Sequence, residues 1–311
     1  MMADRQRPWS RRIRVPPVVM RLGARELGRR CLDPAKPWRV QRTRLEQLDK
    51  VVLLPRGTAV AERVVGGVPA KAVSARGHDP RRTVIHFHGG GYCIGSARTA
   101  ISWAAQLSAQ AGCQVVLPEY RLAPEHPYPA ALEDARAVMT ALSAEAGPGS
   151  LVLSGDSAGG GLALAVILSM RDEGQELPVG CILLSPWLDL GRDRRATPGL
   201  VRKDVLLSPG WLEACARAYA DPSAWADGLV SPLCAAHGGL PPLLIQAGTD
   251  ELLAPDAEEL AASAAADGVD VTYSRWPRMW HDFMLQPGLV AAADSALDQA
   301  AWFVERVTAS S

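Results

Sequence analysis

The chain has 311 residues and is 48% hydrophobic, which is enough for a sizeable buried core in one large α/β domain or two smaller ones. It contains 33 Lys and Arg and 33 Asp and Glu, so its formal net charge is zero. This balance argues against nucleic acid as a partner, because proteins that bind polyanions carry a strong basic excess.

The first 44 residues differ from the rest of the chain in charge. They carry 13 Lys and Arg against only Asp4, Glu26 and Asp33. A solvated, partly helical N-terminal arm is the simplest interpretation, because runs of like charge usually lie on a solvated surface. The alternative is a surface that favours anionic lipid or an acidic substrate.

The sequence contains no evident targeting or membrane-spanning segment. Residues 15–20, the nearest candidate for the apolar part of a signal peptide, are few and interrupted by prolines. No stretch of about 18 apolar residues is present, so stable membrane insertion is not expected. The six cysteines have neither a CxxC pair nor a zinc-binding spacing, which predicts reduced thiols in a cytoplasmic protein and no metal site.

From residue 59 onward, short runs rich in Val, Ile and Leu alternate with stretches rich in Ala and Leu. The alternation predicts an α/β fold in which helices flank a mostly parallel central sheet. Residues 190–239 break the pattern and are predicted to be an insertion outside the sheet. Strands are predicted at 59–65, 68–75, 83–87, 114–117, 151–153, 181–184, 243–246 and 270–276, and helices at 98–111, 130–144, 158–171, 255–266 and 290–307.

The strongest local signal is Gly155-Asp156-Ser157-Ala158-Gly159, between a predicted buried strand and a predicted helix. This is the context of a nucleophile elbow, a turn so tight that small residues must stand two positions before and after the nucleophile. Such a turn projects the serine hydroxyl from the end of the sheet at a helix N-terminus. A loop that merely caps the helix is the alternative.

The glycine-rich loop His88-Gly89-Gly90-Gly91 directly follows the predicted strand 83–87. Acyl transfer builds negative charge on a carbonyl oxygen, and glycines let backbone N–H groups approach that oxygen because no Cβ intervenes. Upstream of an elbow, the loop predicts an oxyanion hole. A flexible turn is the alternative.

A serine nucleophile needs a base, and in this kind of fold the histidine follows the serine in the chain. Only His237 and His281 lie after Ser157. His237 stands in the insertion, whereas His281 follows the last predicted strand, from which a loop can return over the elbow. We therefore predict His281 as the base, with a surface histidine as the alternative.

The carboxylate that orients the base is expected after the strand at 243–246. Asp250 stands at this position, and Glu251 is the nearest competitor. We predict Asp250 because it is one residue nearer to the carboxyl end of the strand, where sites of α/β sheets gather. Asp256 is predicted to have a structural role at the start of the next helix.

Six motifs together resemble the hormone-sensitive-lipase-like branch of the α/β-hydrolases, also called bacterial family IV esterases. Their order along the chain makes them far more specific than any one of them alone. They lie at residues 88–92, 120–134, 155–160, 185–190, 248–253 and 281–283. The first 50 residues match weakly. Asp282, directly after the predicted base, is a small departure that is not expected to disturb the mechanism.

The resemblance implies an α/β-hydrolase catalytic domain at 51–311, with a helical cap built from an N-terminal arm at 1–50 and an insertion near 190–240. It implies hydrolysis of small carboxylic esters with short to medium acyl chains, without a cofactor or metal. Several family members dimerise through the sheet edge, so a homodimer is a further expectation. The site residues it implies are the triad Ser157, Asp250 and His281 and the oxyanion donors Gly89, Gly90 and Ala158.

Two other functions remain open at the level of sequence. An amidase or deacetylase acting on N-acyl or acetylated small molecules would use the same triad, because the triad serves both leaving groups. A non-catalytic small-molecule receptor is the second alternative. Plant gibberellin receptors resemble this family but lack a working triad histidine. His281 argues for the enzyme, and the fold alone could not decide.

Overall fold

The computed structural model describes residues 14–48, 54–79 and 81–309, so residues 1–13 and 49–50 of the predicted arm lie outside the described residues. The described residues form eight strands and nine α-helices. The strands are β1 (Ala59–Val65), β2 (Val68–Ser74), β3 (Thr83–Phe87), β4 (Gln114–Pro118), β5 (Leu151–Asp156), β6 (Gly180–Leu184), β7 (Leu243–Gly248) and β8 (Val271–Trp276). The helices are α1 (Pro17–Cys31), α2 (Trp38–Leu48), α3 (Ala97–Ala111), α4 (Ala130–Ala146), α5 (Ala158–Asp172), α6 (Pro198–Lys203), α7 (Pro209–Tyr219), α8 (Ala254–Ala266) and α9 (Ala291–Ala309).

All eight strands belong to one sheet, in the order β1-β2-β4-β3-β5-β6-β7-β8. β1 and β2 form an antiparallel hairpin, and β2 is antiparallel to β4. Every other pair of neighbours is parallel. The predicted α/β fold with a mostly parallel sheet is therefore confirmed.

The central strands β3, β5 and β6 are buried at every position, because helices cover both faces of the sheet. Helices α4, α5 and α8 contribute to the apolar cluster on one face. Helices α3 and α9 contribute to a second apolar cluster on the other face. This burial explains why these strands appear in the sequence as continuous apolar runs.

The N-terminal part is more regular than the sequence indicated, since it contains the two helices α1 and α2. Helix α1 begins at Pro17, where a proline costs no hydrogen bond. Its buried Gly28 lies so close to the insertion that a Cβ would stand 2.5 Å from the carbonyl oxygen of Leu206. The first helix therefore packs directly on the insertion.

The insertion lies outside the sheet, as predicted, and contains α6, α7 and several short 3-10 turns. Buried Arg194 anchors it to the sheet domain through two 2.7 Å contacts with the buried carboxylate of Asp256. Asp256 also accepts hydrogen bonds from the backbone N–H groups of Leu188 and Asp189. The structural role predicted for Asp256 is thus an ion pair that anchors the insertion rather than a helix cap.

None of the helices in the described ranges combines the length and apolar character that a bilayer span requires.

Candidate active site

Ser157 stands in a strained turn between β5 and α5, with φ 53° and ψ −120°. A Cβ at Gly155 would lie 2.1 Å from the carbonyl oxygen of Gly159, and a Cβ at Gly159 would lie 2.0 Å from that of Phe87. Both positions therefore require glycine, as a nucleophile elbow does. A non-glycine residue at positive φ costs free energy, and such strain is typical of functional sites.

His281 reaches Ser157 from the loop that follows β8. Its Nε2 lies 3.0 Å from the Ser157 Oγ, and both residues are buried. This is the distance at which a base can accept the hydroxyl proton. His237, the other histidine considered, instead contacts the Pro232 carbonyl and the Ser263 hydroxyl, away from the elbow.

The carboxylate that faces the second ring nitrogen of His281 belongs to Glu251. Its Oε2 lies 3.4 Å from the Nδ1 of His281, slightly beyond an ordinary hydrogen bond. The Ser185 hydroxyl donates to the same Oε2 at 2.8 Å and fixes its position. Burial raises the pKa of Glu251. The hydrogen bond and charge of His281, together with the hydrogen bond from the Ser185 hydroxyl, oppose this increase but do not cancel it.

The prediction of Asp250 as the orienting carboxylate does not agree with this geometry. The Asp250 Oδ2 lies 3.0 Å from the Nη1 of Arg21 in α1. The physical reason is the length of β7, which continues to Gly248 and so carries Asp250 into the following turn. The next side chain, that of Glu251, then points into the buried site.

The three predicted oxyanion donors, Gly89, Gly90 and Ala158, do not all have a free N–H group. The backbone N–H of Gly89 donates to the Asp156 Oδ2 at 2.9 Å, so it is already in use. No acceptor among the described residues lies within hydrogen-bonding distance of the backbone N–H of Gly90, Gly91 or Ala158. Ala158 is the first residue of α5, where backbone N–H groups have no partner inside the helix.

Asp156 acts as a buried support for this loop. Besides the N–H of Gly89, its carboxylate contacts the Nε2 of His86 at 3.0 Å, and the Nδ1 of His86 contacts the Ser154 hydroxyl at 3.0 Å. The carboxylate thus links β3, β5 and the glycine-rich loop. Asp156 is therefore a hydrogen-bond scaffold beside the nucleophile.

Tyr120 supports the same loop from the other side. Its hydroxyl donates to the carbonyl oxygen of His88 at 2.6 Å, and its ring stacks on the imidazole at 4.4 Å. Arg121, the next residue, is bound by the Asp134 carboxylate at 2.9 and 3.0 Å. The segment 120–134 is therefore scaffold behind the site.

Comparison with known proteins places this site in a family. Residues 84–285 match the family model described as the alpha/beta hydrolase fold. The chain is 34% identical to an acetyl-hydrolase of Streptomyces hygroscopicus over 88% of this chain and 90% of the relative. It is 33% identical to an esterase of Acinetobacter venetianus over 83% of this chain and 86% of the relative.

Solved structures agree with the sequence relatives. A hormone-sensitive lipase from a metagenome library is 31% identical, with a TM-score of 0.89, and the match covers 95% of this chain and 99% of that one. An esterase from the bacterial hormone-sensitive lipase family is 32% identical, with the same TM-score and coverage. The chain belongs to the hormone-sensitive-lipase-like branch of the α/β-hydrolases.

In this hydrolase, a cavity of about 260 Å³ opens beside the elbow. One part of its wall is apolar and comes from the N-terminal helices and the insertion. The glycine-rich loop and the loop after β8 contribute both polar and apolar side chains. The apolar lining residues are Ala24, Leu27, Leu32, Leu45, Ile94, Leu206, Leu207, Trp211, Trp280 and Leu285, and the polar ones include Thr99, Ser157, His281, Asp282 and Gln286.

A second carboxylate approaches the base of the hydrolase from the cavity side. The Asp282 Oδ2 lies 3.1 Å from the Nε2 of His281, the same nitrogen that faces Ser157. Burial by itself would lower the pKa of His281, but the Asp282 and Glu251 carboxylates outweigh burial and raise it well above its ordinary value. Burial also raises the pKa of Asp282 to about 7.

Sequence reasoning missed the functional placement of Glu251 and Asp282. The predicted strand ends at residue 246, two residues before the actual end of β7 at Gly248, so the sequence favours Asp250 over Glu251. Asp282 stands in the sequence only as a departure from the family pattern. Its place directly after the predicted base is the available signal, because carboxylates that touch a histidine alter its proton affinity.

Proposed function

We propose that this hydrolase cleaves carboxylic esters through an acyl-enzyme on Ser157, with His281 as the base and Glu251 as the orienting carboxylate. The observation that carries the proposal is the 3.0 Å approach of the His281 Nε2 to the Ser157 Oγ. The elbow geometry of Ser157 and the position of Glu251 beside the Nδ1 of His281 support it.

The reaction proceeds in two steps. In the first, His281 takes the Ser157 proton as the oxygen attacks the ester carbonyl, and the protonated imidazole then gives that proton to the departing alcohol oxygen. In the second, His281 activates a water molecule, which attacks the acyl-enzyme and releases the carboxylic acid. Glu251 holds the Nδ1–H of His281 and stabilises its protonated form.

The backbone N–H groups of Gly90 and Ala158 stabilise the oxyanion, and Gly91 is a third candidate donor. This assignment is supported because these N–H groups have no hydrogen-bond acceptor among the described residues, whereas the N–H of Gly89 donates to the Asp156 carboxylate. Each donor of this kind contributes about 3–4 kcal/mol to stabilisation of the transition state.

Residues 14–48 and 190–240 act as the cap over this site, on a catalytic domain that begins near residue 51. Support comes from the cavity wall, to which both segments contribute apolar side chains. The apolar wall suits a short or medium acyl chain, because burial contributes about 0.8 kcal/mol for each methylene.

Cleavage of N-acyl or acetylated small molecules, as an amidase or deacetylase, is the second candidate function. The acetyl-hydrolase of Streptomyces hygroscopicus supports it, as does a triad that can serve either leaving group. Hydrolysis of p-nitrophenyl butyrate and p-nitrobutyranilide separates the two. We expect the ester to be cleaved at least 10³-fold faster (an order-of-magnitude figure, about 4 kcal/mol in the barrier). Comparable rates on both would favour the amidase.

A homodimer and a cytoplasmic location complete the proposal. β8 ends the sheet, with no strand on its outer side in the described ranges, so a second copy could pair there. Sedimentation velocity would give a dimer mass, and a monomer at micromolar concentration would contradict the dimer.

The cytoplasmic location is supported by buried thiols, which suit a reducing compartment. They belong to Cys93, Cys113, Cys181 and Cys215.

A further inference from the structure

Asp282 lines the substrate cavity with a largely buried carboxylate, 16% exposed, that the acyl-transfer steps do not use. Its Oδ2 contacts the Nε2 of His281 at 3.1 Å. Its Oδ1 is buried and has no hydrogen-bond partner in the described part of the chain. A buried acceptor without a donor costs free energy, so a donor from a ligand would be bound favourably here.

The position of Asp282 indicates which part of the substrate it meets. The His281 Nε2 gives its proton to the departing alcohol oxygen, so that oxygen must come within about 3 Å of the Nε2. Because the Asp282 Oδ2 is at 3.1 Å from the same atom, the alcohol part of the ester lies beside Asp282. A donor on the second carbon of the alcohol is then within reach of the carboxylate.

The rest of the cavity agrees with this orientation. Gln286 follows Asp282 by four residues, and its side-chain oxygen is also buried without a partner in the described ranges. Leu206, Leu207 and Trp211 of the insertion give the cavity apolar surface that suits the acyl chain, and Trp280 and Leu285 add to it. The cavity therefore combines apolar surface for a hydrocarbon chain with hydrogen-bond acceptors and a negative charge beside His281.

We infer that Asp282 is a specificity-determining residue whose carboxylate binds a hydrogen-bond donor on the alcohol, so that the enzyme prefers esters of 1,2-diols and amino alcohols to esters of plain alcohols. This inference rests on the proposed ester hydrolysis through Ser157. A donor from the substrate also takes the place of His281 as the partner of Asp282. His281 is then free to act as the base toward Ser157, so the preference extends to the rate as well as to binding.

Two pairs of isosteric esters test this inference. 2-Hydroxyethyl butyrate is compared with propyl butyrate, and protonated 2-(dimethylamino)ethyl butyrate with 3-methylbutyl butyrate. Each kcat/KM ratio is divided by the ratio for non-enzymatic hydrolysis by hydroxide at the assay pH, where the amine is protonated, and this corrects for the reactivity of the leaving group. At about pH 7.5, above the pKa of about 7 that burial gives Asp282, we expect a corrected preference of about tenfold or more for each donor.

Variants then locate the preference in one side chain. Asp282→Asn should reduce the preference for the ammonium ester about tenfold or more, and Asp282→Ala should remove the preference for both donors. The matched control is Asp172→Asn, which changes an exposed acid at the far end of α5 and should leave both ratios unchanged. Melting curves and p-nitrophenyl butyrate turnover show whether each variant is folded.

The outcomes separate this inference from the proposed function. If p-nitrophenyl butyrate turnover requires Ser157 but the unmodified enzyme shows no corrected preference, the role of Asp282 is overturned and the esterase stands. A preference that survives in folded Asp282→Ala overturns it equally. If Ser157→Ala keeps its turnover, the esterase mechanism itself fails.

Discussion

At the scale of single residues, the chemistry centres on a histidine between two carboxylates. Glu251 faces the Nδ1 of His281 and Asp282 faces its Nε2. The two acids stabilise the protonated imidazole, while burial favours the neutral one. The pKa of the base is therefore set by the balance of these effects, and it lies above its ordinary value.

This balance predicts the acid side of the pH profile. His281 must be neutral to accept a proton, so activity is lost as pH falls through its pKa. Because that pKa is raised, kcat/KM should fall to half above about pH 6.5, the ordinary value for histidine. In Asp282→Asn the half-point should move to lower pH, because the negative charge of Asp282, which stabilises the protonated imidazole, is gone. An unmoved half-point in the variant would contradict the assigned contact.

The choice between two adjacent acids is tested by a pair of isosteric changes. Glu251→Gln should lower kcat by about 10²–10⁴-fold, because the imidazole loses the carboxylate that orients it. Asp250→Asn, which alters the contact with Arg21, should lower kcat by less than about tenfold. Steady-state kinetics on p-nitrophenyl butyrate measure both. The reverse order would return the role to Asp250.

The sequence predicts Ser157 and His281 well because their motifs have strict steric and topological requirements. It separates Asp250 from Glu251 poorly, because adjacent side chains leave a turn in different directions and the strand before them ends two residues later than the sequence predicts. It also cannot show that the N–H of Gly89 is held by Asp156, since that contact joins residues 67 positions apart.

At the scale of elements, helix α1 is tied to the loops that carry the site. Arg21 donates to the Asp250 carboxylate and to the carbonyl oxygens of Lys203 and Arg278, each at 3.0 Å. One side chain thus joins α1, the end of α6 and the loops after β7 and β8. The acid predicted to orient the base instead anchors the first helix.

Removal of this tie should loosen α1 without changing the chemistry. Arg21→Ala should lower the free energy of unfolding by about 1–2 kcal/mol and raise the KM for medium-chain esters, because Ala24 and Leu27 of α1 line the cavity. Arg29→Ala is the matched control, since the Arg29 side chain on the same helix is 77% exposed. Equal effects of the two substitutions, measured by denaturant unfolding, would rule out a special role for Arg21.

At the scale of the whole molecule, the alternation of apolar runs and helices predicts the sheet nearly strand by strand. The pattern is readable because the central strands are buried on both faces. Helices α1 and α2 are not readable in this way. Their charged surface hides the few positions, such as Ala24 and Gly28, that pack on the remainder of the molecule.

The covered cavity predicts a limit on the length of the acyl chain. With about 260 Å³ beside the elbow, kcat/KM should rise with chain length and then fall, with an optimum at roughly four to eight carbons. A series of p-nitrophenyl esters from two to sixteen carbons, with and without emulsified triglyceride, measures this. A preference for the longest chains, or a sharp rise in rate at the emulsion threshold, would indicate a true lipase instead.

Covalent capture of the nucleophile tests the central claim most directly. A fluorophosphonate should add one phosphonyl group to the peptide that contains Ser157, seen by mass spectrometry, and should abolish turnover. Ser157→Ala should remain folded, take up no label and lose about 10⁴-fold or more of the activity. Labelling at another serine, or a Ser157→Ala variant that still hydrolyses esters, would contradict the account.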